Sequence, residues 1–192
     1  MRPIDIAGFE QKFRANIDPW DYTNSRFEHF KRNVLLRACG HRKHGRVLEL
    51  GCAIGETTRF LAPLSLRLLA LDGSSTAIAE ARKRVRNAHV RFLEAKLPGQ
   101  MPSGPFDLIV VSEIAYYLKA PDLAALSKKL SAATAHRGKL VLLHHRRHFE
   151  DAAQLPALAH AQLLSGLSRG ACVCFQKRYP RFDVAVLRKV RR

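Results

Sequence analysis

The sequence predicts an α/β fold, a mostly parallel sheet with helices on both faces, and three observations carry that prediction. Short strand-like and helix-like segments alternate through the middle of the chain, which implies right-handed crossovers between parallel strands. Phe106 to Ser112 is a nearly uniform apolar run, as expected for a strand buried on both faces. The last two strand-like segments are separated only by Tyr179-Pro180-Arg181, a connection that suits an antiparallel hairpin.

In order, the first forty residues read as two helices divided by Asp18-Pro19-Trp20-Asp21-Tyr22. Ser25-Arg26-Phe27-Glu28 fits a capping box, with the serine accepting from the first turn and the glutamate reaching back. Phe27, Phe30, Val34, Leu35 and Ala38 follow at helical spacing, and Gly40 and Gly45 end the segment. Strands are then expected at Val47–Leu50, Leu66–Asp72, Val90–Leu93, Phe106–Ser112 and Lys139–His144. The helices between them are expected at Glu56–Leu64, stopped around Pro63, at Thr76–Arg86 and at Asp122–Ala135. A helix near Ala152–Leu164 and the hairpin strands Ala171–Arg178 and Phe182–Leu187 complete seven strands. With no repeat, linker or low-complexity tract, residues 1–192 read as one domain: a helical lid over 1–40 and an α/β core over 45–192.

Composition removes several function classes. Hydrophobic residues make up 47% of the 192, too many for a disordered chain. No apolar run approaches the ~18 residues of a membrane span. Met1 to Asp5 has no apolar stretch that could act as a signal, so a cytoplasmic location is expected. Cys39, Cys52, Cys172 and Cys174 lack metal-ligand spacing, which favours small side chains in a reducing compartment over a disulfide or zinc framework. The formal net charge is +17. Such a balance favours polyanions, but the basic residues are scattered along the chain and reads first as a solvated surface. Nucleic acid remains a possible partner that is not favoured, and a monomer or weak dimer is expected.

The chemistry-bearing residues sit at the carboxyl ends of the first strands, where open parallel sheets bind ligands. After the first strand stands Glu49-Leu50-Gly51-Cys52-Ala53-Ile54-Gly55. Gly51 permits a tight turn and Gly55 opens a helix, yet the pattern is neither a dinucleotide fingerprint nor a P-loop, since the middle glycine is Ala53 and no Lys-Ser/Thr pair follows. The second strand ends in Asp72, followed by Gly73; an acidic side chain there can accept two ribose hydroxyls.

These residues resemble the first motif of the class I S-adenosylmethionine-dependent methyltransferases, a Rossmann-like fold whose sheet ends in an antiparallel hairpin. The resemblance implies S-adenosyl-L-methionine as cofactor, with Gly51 against its methionine part and Asp72 on its ribose. Phe106 to Glu113 resembles the family's fourth-strand motif, whose end borders the transferred methyl. Asp18-Pro19-Trp20, Ser25 to Lys31, Leu48 to Gly55 and Ser112-Glu113-Ile114-Ala115-Tyr116-Tyr117-Leu118 are similar to the nodulation protein S group, which N-methylates the free amine of a chitooligosaccharide. From that likeness Trp20, Tyr22, Glu49, Gly51, Cys52, Ala53, Gly55, Asp72, Gly73, Ala95, Lys96, Leu97 and Ser112 are expected around the cofactor. Glu113, then His144, is expected to bind or deprotonate the acceptor amine, with Tyr117 as a wall or hydroxyl donor. Two departures stand out. Glu94-Ala95-Lys96-Leu97 lacks the Asp that often meets the adenine, and His144-His145-Arg146-Arg147-His148 replaces the group's His-Trp. No metal is expected. The competing readings are a nucleic-acid methyltransferase, which lacks the proline motif of base-amine enzymes after Ser112, and a non-catalytic cofactor- or nucleic-acid-binding protein on the same fold.

Overall fold

In the computed structural model, which describes residues 3–190, seven strands form one sheet in the order β3-β2-β1-β4-β5-β7-β6. The strands are β1 (His44–Leu50), β2 (Ser65–Asp72), β3 (Val90–Glu94), β4 (Phe106–Ser112), β5 (Thr134–His145), β6 (Ala171–Arg178) and β7 (Phe182–Lys189). β1 to β5 are parallel, and β7 runs antiparallel between β5 and β6. Strand order reverses between β1 and β4, and that reversal opens the crevice in which the site lies.

The helices are α1 (Ile6–Ala15), α2 (Arg26–Cys39), α3 (Thr58–Leu61), α4 (Ser75–Arg84), α5 (Ala120–Ala133) and α6 (Pro156–Ser168). Local chemistry accounts for their starts. The Asp5 carboxylate accepts from the Gly8 amide, the Ser25 hydroxyl from Glu28 and the Ser74 hydroxyl from Ala77, at 2.8, 3.4 and 3.1 Å. Proline opens α5 and α6, where its missing N–H costs nothing. Hence α6 starts at Pro156 and not near Ala152, since a proline inside a helix would forfeit a hydrogen bond. The segment expected as a helix over Glu56–Leu64 is only α3 plus a 3-10 turn over Ala62–Leu64, broken by Pro63. β5 begins five residues earlier than expected, at Thr134 beside Phe106, with an irregularity in the pairing before Leu108.

The core is two layers. Leu108, Val110, Val141 and Leu143 face α2 and α3, while Ile109, Val111, Leu140 and Leu142 face α5 and α6. Alternate residues of one strand therefore serve opposite layers, which is why β4 is apolar without interruption from Leu108 to Val111. Among the described residues no helix is long and apolar enough to cross a membrane, and no three His, Cys, Asp or Glu are grouped to hold a metal ion.

Candidate active site

A cleft of about 1420 Å³ opens along the carboxyl edge of β1, β2 and β4, roofed by α1 and the turn that follows it. Its floor is the loop after β1. Gly51 has φ 71°, and a side chain there would run into Ile114, so this turn excludes any Cβ. Ala53 also has positive φ, 46°, so it keeps the left-handed turn that a glycine would adopt without strain. Its amide donates to Asp72 Oδ2 at 2.9 Å, while Asp72 Oδ1 accepts from Ser74 at 3.0 Å. Both oxygens keep lone pairs for hydroxyl donors. Burial raises the Asp72 pKa, and the Ser74 and Ala53 amides oppose it.

The roof is tied down at both ends. Glu10 accepts from the Ser74 and Thr76 hydroxyls, each at 2.6 Å, and from the Thr76 amide at 3.2 Å. Those hydroxyls, led by Ser74, hold its pKa down at about 2. Lys12 pairs with Asp151 at 2.8 Å, and the Ile4 amide donates to the Asp151 carbonyl at 2.9 Å. The turn carrying Trp20 and Tyr22 is folded around Asp18, whose carboxylate accepts from the Tyr22 and Thr23 amides at 2.8 and 3.0 Å. Trp20 then packs on Phe13 with ring centroids 5.5 Å apart, closing the apolar end of the roof.

At the far wall Glu113 has φ 60°, an uncommon conformation for a side-chain-bearing residue and one concentrated at functional sites. Three contacts hold it: Lys31 Nζ at 2.8 Å on Oε1, and the Tyr116 hydroxyl at 2.6 Å with the His145 amide at 3.0 Å on Oε2. Burial alone would raise its pKa, but Lys31 and Tyr116 outweigh burial and hold it at about 2. Of the two roles expected for Glu113, to bind or to deprotonate the acceptor amine, these contacts favour binding, because they hold the carboxylate in its ionised form. Lys31 bridges on to Glu28 Oε1, also at 2.8 Å. Glu28 does not complete the capping box either, since the Ser25 amide donates to the Asp21 carbonyl instead. Its carboxylate faces the cleft, Oε2 has no partner among the described residues, and burial raises its pKa against the pull of Lys31.

Trp20, Tyr22, Gly51, Ala53, Asp72, Gly73, Ala95, Lys96, Leu97, Ser112, Glu113 and Tyr117 all line the cleft. Four expected residues do not. Glu49 is 3% exposed and accepts from the Thr58 hydroxyl at 2.6 Å; burial lifts its pKa to about 8 and it supports the loop from behind. Cys52 points into the layer of Ala70 and Ile78. Gly55 lies where a Cβ would press on Ala81 and Val85, so it serves the packing of α4. His144 is fully buried behind the wall, its Nδ1 3.0 Å from that of His160, and burial followed by His160 pushes its pKa down to about 3. His145, next along β5, is the histidine that reaches the cleft.

The charge of the cleft opposes that of the chain. Among the described residues it is lined by eight of the sixteen Asp and Glu and only five of the thirty-three Lys and Arg. Phe9, Phe13, Trp20, Tyr22, Tyr117 and Phe149 supply aromatic walls. Acidic groups and aromatic faces together suit a cationic ligand.

Comparison with known proteins agrees with this architecture. The profile described as Nodulation protein S (NodS) matches residues 7–146. Nodulation protein S of Azorhizobium caulinodans is 30% identical over 119 residues, 60% of this chain and 58% of that protein. Its namesake in Sinorhizobium fredii is 36% identical over 111 residues, 57% of this chain and 50% of that one, so the aligned part spans about half the length of these curated relatives. The crystal structure of the N-methyltransferase NodS from Bradyrhizobium japonicum WM9 in complex with S-adenosyl-L-homocysteine superposes with a TM-score of 0.83 at 24% identity, covering 97% of this chain and 99% of that one; it shares the class I methyltransferase fold. A profile match over most of the chain, on a sheet of this order, places the protein in the nodulation protein S family.

Proposed function

We propose that this protein is an S-adenosyl-L-methionine-dependent methyltransferase that N-methylates an amine of a small molecule or amino sugar, a chitooligosaccharide-like acceptor being the first to try. The observation that carries the reading is an acidic, aromatic cleft at the strand-order reversal of a chain whose net charge is +17. Both ligands of such a reaction are cations, a sulfonium donor and an amine that arrives as an ammonium. The residues fit the donor: Gly51 leaves the floor bare, and Asp72 keeps acceptor capacity where a ribose would lie. Bound there, the cofactor supplies an electrophilic methyl on sulfur.

The protein's part is positioning, exclusion of water and proton management. The α1 roof, pinned through Glu10 and Asp151, acts as a lid that shuts water out. Glu28, Lys31 and Glu113 carry two negative charges against one positive, which attracts an ammonium to the end of β4. Glu113 orients the amine and keeps its own charge. Glu28 Oε2, uncommitted and with a raised pKa, accepts the proton that the amine must lose. The reading also takes the molecule to act in the cytoplasm as a monomer or weak dimer.

The test is calorimetry with S-adenosyl-L-homocysteine, followed by mass spectrometry of amine acceptors incubated with the donor. Saturable binding that also raises the melting temperature is expected. Asp72→Ala should weaken binding at least tenfold, the scale of lost hydrogen bonds to a charged group. Absence of any binding to the folded wild-type protein would refute the cofactor assignment, and unchanged affinity in Asp72→Ala would remove the ribose role.

A further inference from the structure

The opposite edge of the same sheet carries the charge that the cleft lacks. β1 to β6 begin there and β7 ends there, so each connection entering the sheet contributes a short segment to one rim. Segments 40–46, 62–67, 85–91, 102–107, 134–139, 169–171 and 187–190 hold eleven Lys and Arg against a single acid, Asp107. Among the described residues none of the eleven forms an ion pair. Lys139 and Lys189 donate to backbone carbonyls, as Arg188 does to that of Arg137 at 3.5 Å; apart from those two lysines, the other nine are all exposed, and eight of them are arginine.

The arrangement carries only a small cost in stability, since water and salt screen exposed charges, but no ion pair among the described residues accounts for it. Arg46 is in register with Arg67 on the neighbouring strand, and Lys139 with Arg188. Like charges in register destabilise a sheet. Basic residues in the last turns of α2 and α4 answer the helix dipole, but those leading into strands have no such local justification.

We propose that this rim, on the far side of the sheet from the cleft, is a docking surface for the phosphate backbone of a polynucleotide. Seven strands at about 4.8 Å spacing make a rim roughly 29 Å long. A duplex presents one charge for about every 1.7 Å of its axis, so several phosphates meet the rim at once. The excess of arginine over lysine favours phosphate, which the guanidinium fork grips with two hydrogen bonds. An anionic bilayer is the less suited partner, because the rim has no amphipathic helix, and Leu66 and Val190 are its only large exposed apolar side chains among the described residues. The docking is independent of methyl transfer.

The experiment is fluorescence anisotropy of the full chain with labelled 20-nucleotide duplex and single-stranded probes from 50 to 200 mM salt, alongside phosphatidylserine vesicles. Expected is a logarithmic salt slope of −4 or steeper, with vesicles bound at least tenfold more weakly. Arg46→Glu with Arg67→Glu should lower affinity at least tenfold and reduce the slope by about 2, while circular dichroism stays unchanged. Should that pair fail to fold, Arg137→Gln with Arg188→Gln carries the same test at the other end of the rim. No binding at 50 mM salt, an unaltered slope in a folded double variant, or vesicles bound as tightly as nucleic acid would each overturn the proposal.

Discussion

The two edges of this sheet solve opposite electrostatic problems with the same strands. At the carboxyl edge, charged groups are buried and matched: Lys31 sits 2.8 Å from both Glu28 and Glu113, with 9% of its side chain exposed. At the amino edge, Arg46, Arg67, Arg91 and Arg137 are exposed and lack a carboxylate partner among the described residues. Buried charges must be compensated by the protein itself, because desolvation penalises each of them. Exposed charges are compensated by water and salt, so a rim can be specialised for an outside partner at little cost in folding.

Paired substitutions break this contrast most sharply. Lys31→Met leaves the Glu28 and Glu113 carboxylates, each 14% exposed, without the buried cation they share, and removing one member of a buried pair costs about 3–5 kcal/mol. Denaturant melts near neutral pH should show that loss. The same measurement on Arg67→Ala should stay within about 0.5 kcal/mol of wild type, as for other surface changes. Equal effects at the two sites would mean that Lys31 is solvated in solution and that the matched network does not persist.

The next largest effect distinguishes two carboxylates on one lysine. Glu28→Gln is expected to cut turnover on an accepted amine by roughly 10²-fold, the scale of a lost general base. A base works in its ionised form, so wild-type turnover should rise with pH through the raised pKa of Glu28. In Glu28→Gln that limb disappears, and residual turnover grows only as the free amine becomes neutral. Glu113, held ionised at about 2, contributes no titration in the working range, so Glu113→Gln should scale the rate without reshaping its pH profile. A profile reshaped by Glu113→Gln and left intact by Glu28→Gln would reverse the assignment.

What could be read from the sequence follows the range of the interactions concerned. The β1 loop and Asp72 were legible because backbone geometry at a strand end depends on residues close in sequence. β4 was legible because a strand covered on both faces is apolar along its covered length, here Leu108 to Val111. The start of the last helix went wrong because Pro156 overrode the apolar pattern. The roles of Glu10, Glu28 and Lys31 were not legible: each depends on where α1 and α2 dock, a contact of long sequence separation. Glu28 carried a local signal, the capping box, that pointed elsewhere. The same reason hid the basic rim. One to three basic residues from each of six separate segments look scattered along the chain, and only the strand order gathers them.

The smallest expected effect lies at the floor of the cleft and concerns Ala53, the one position where the first motif departs from glycine. An L-residue in the left-handed region costs about 1–2 kcal/mol, while glycine costs about 0.5–1 kcal/mol in extra unfolded-state freedom. Ala53→Gly should therefore stabilise the protein by roughly 0.5–1 kcal/mol, about 1–4 °C in melting temperature for a chain of this size. Against that stands the Ala53 methyl, which packs against the cluster of Phe13, Ile54 and Ala77 that also carries Trp20 and Tyr22, and so helps seat the roof. The two contributions separate experimentally. If strain dominates, the variant melts higher and hydrogen exchange in residues 5–30 is unchanged. If the methyl is a foothold for the roof, the variant melts no higher and exchange in 5–30 accelerates. In that second case the alanine is retained because the lid rests on it, and the strain at φ 46° is the cost of a seat between floor and roof.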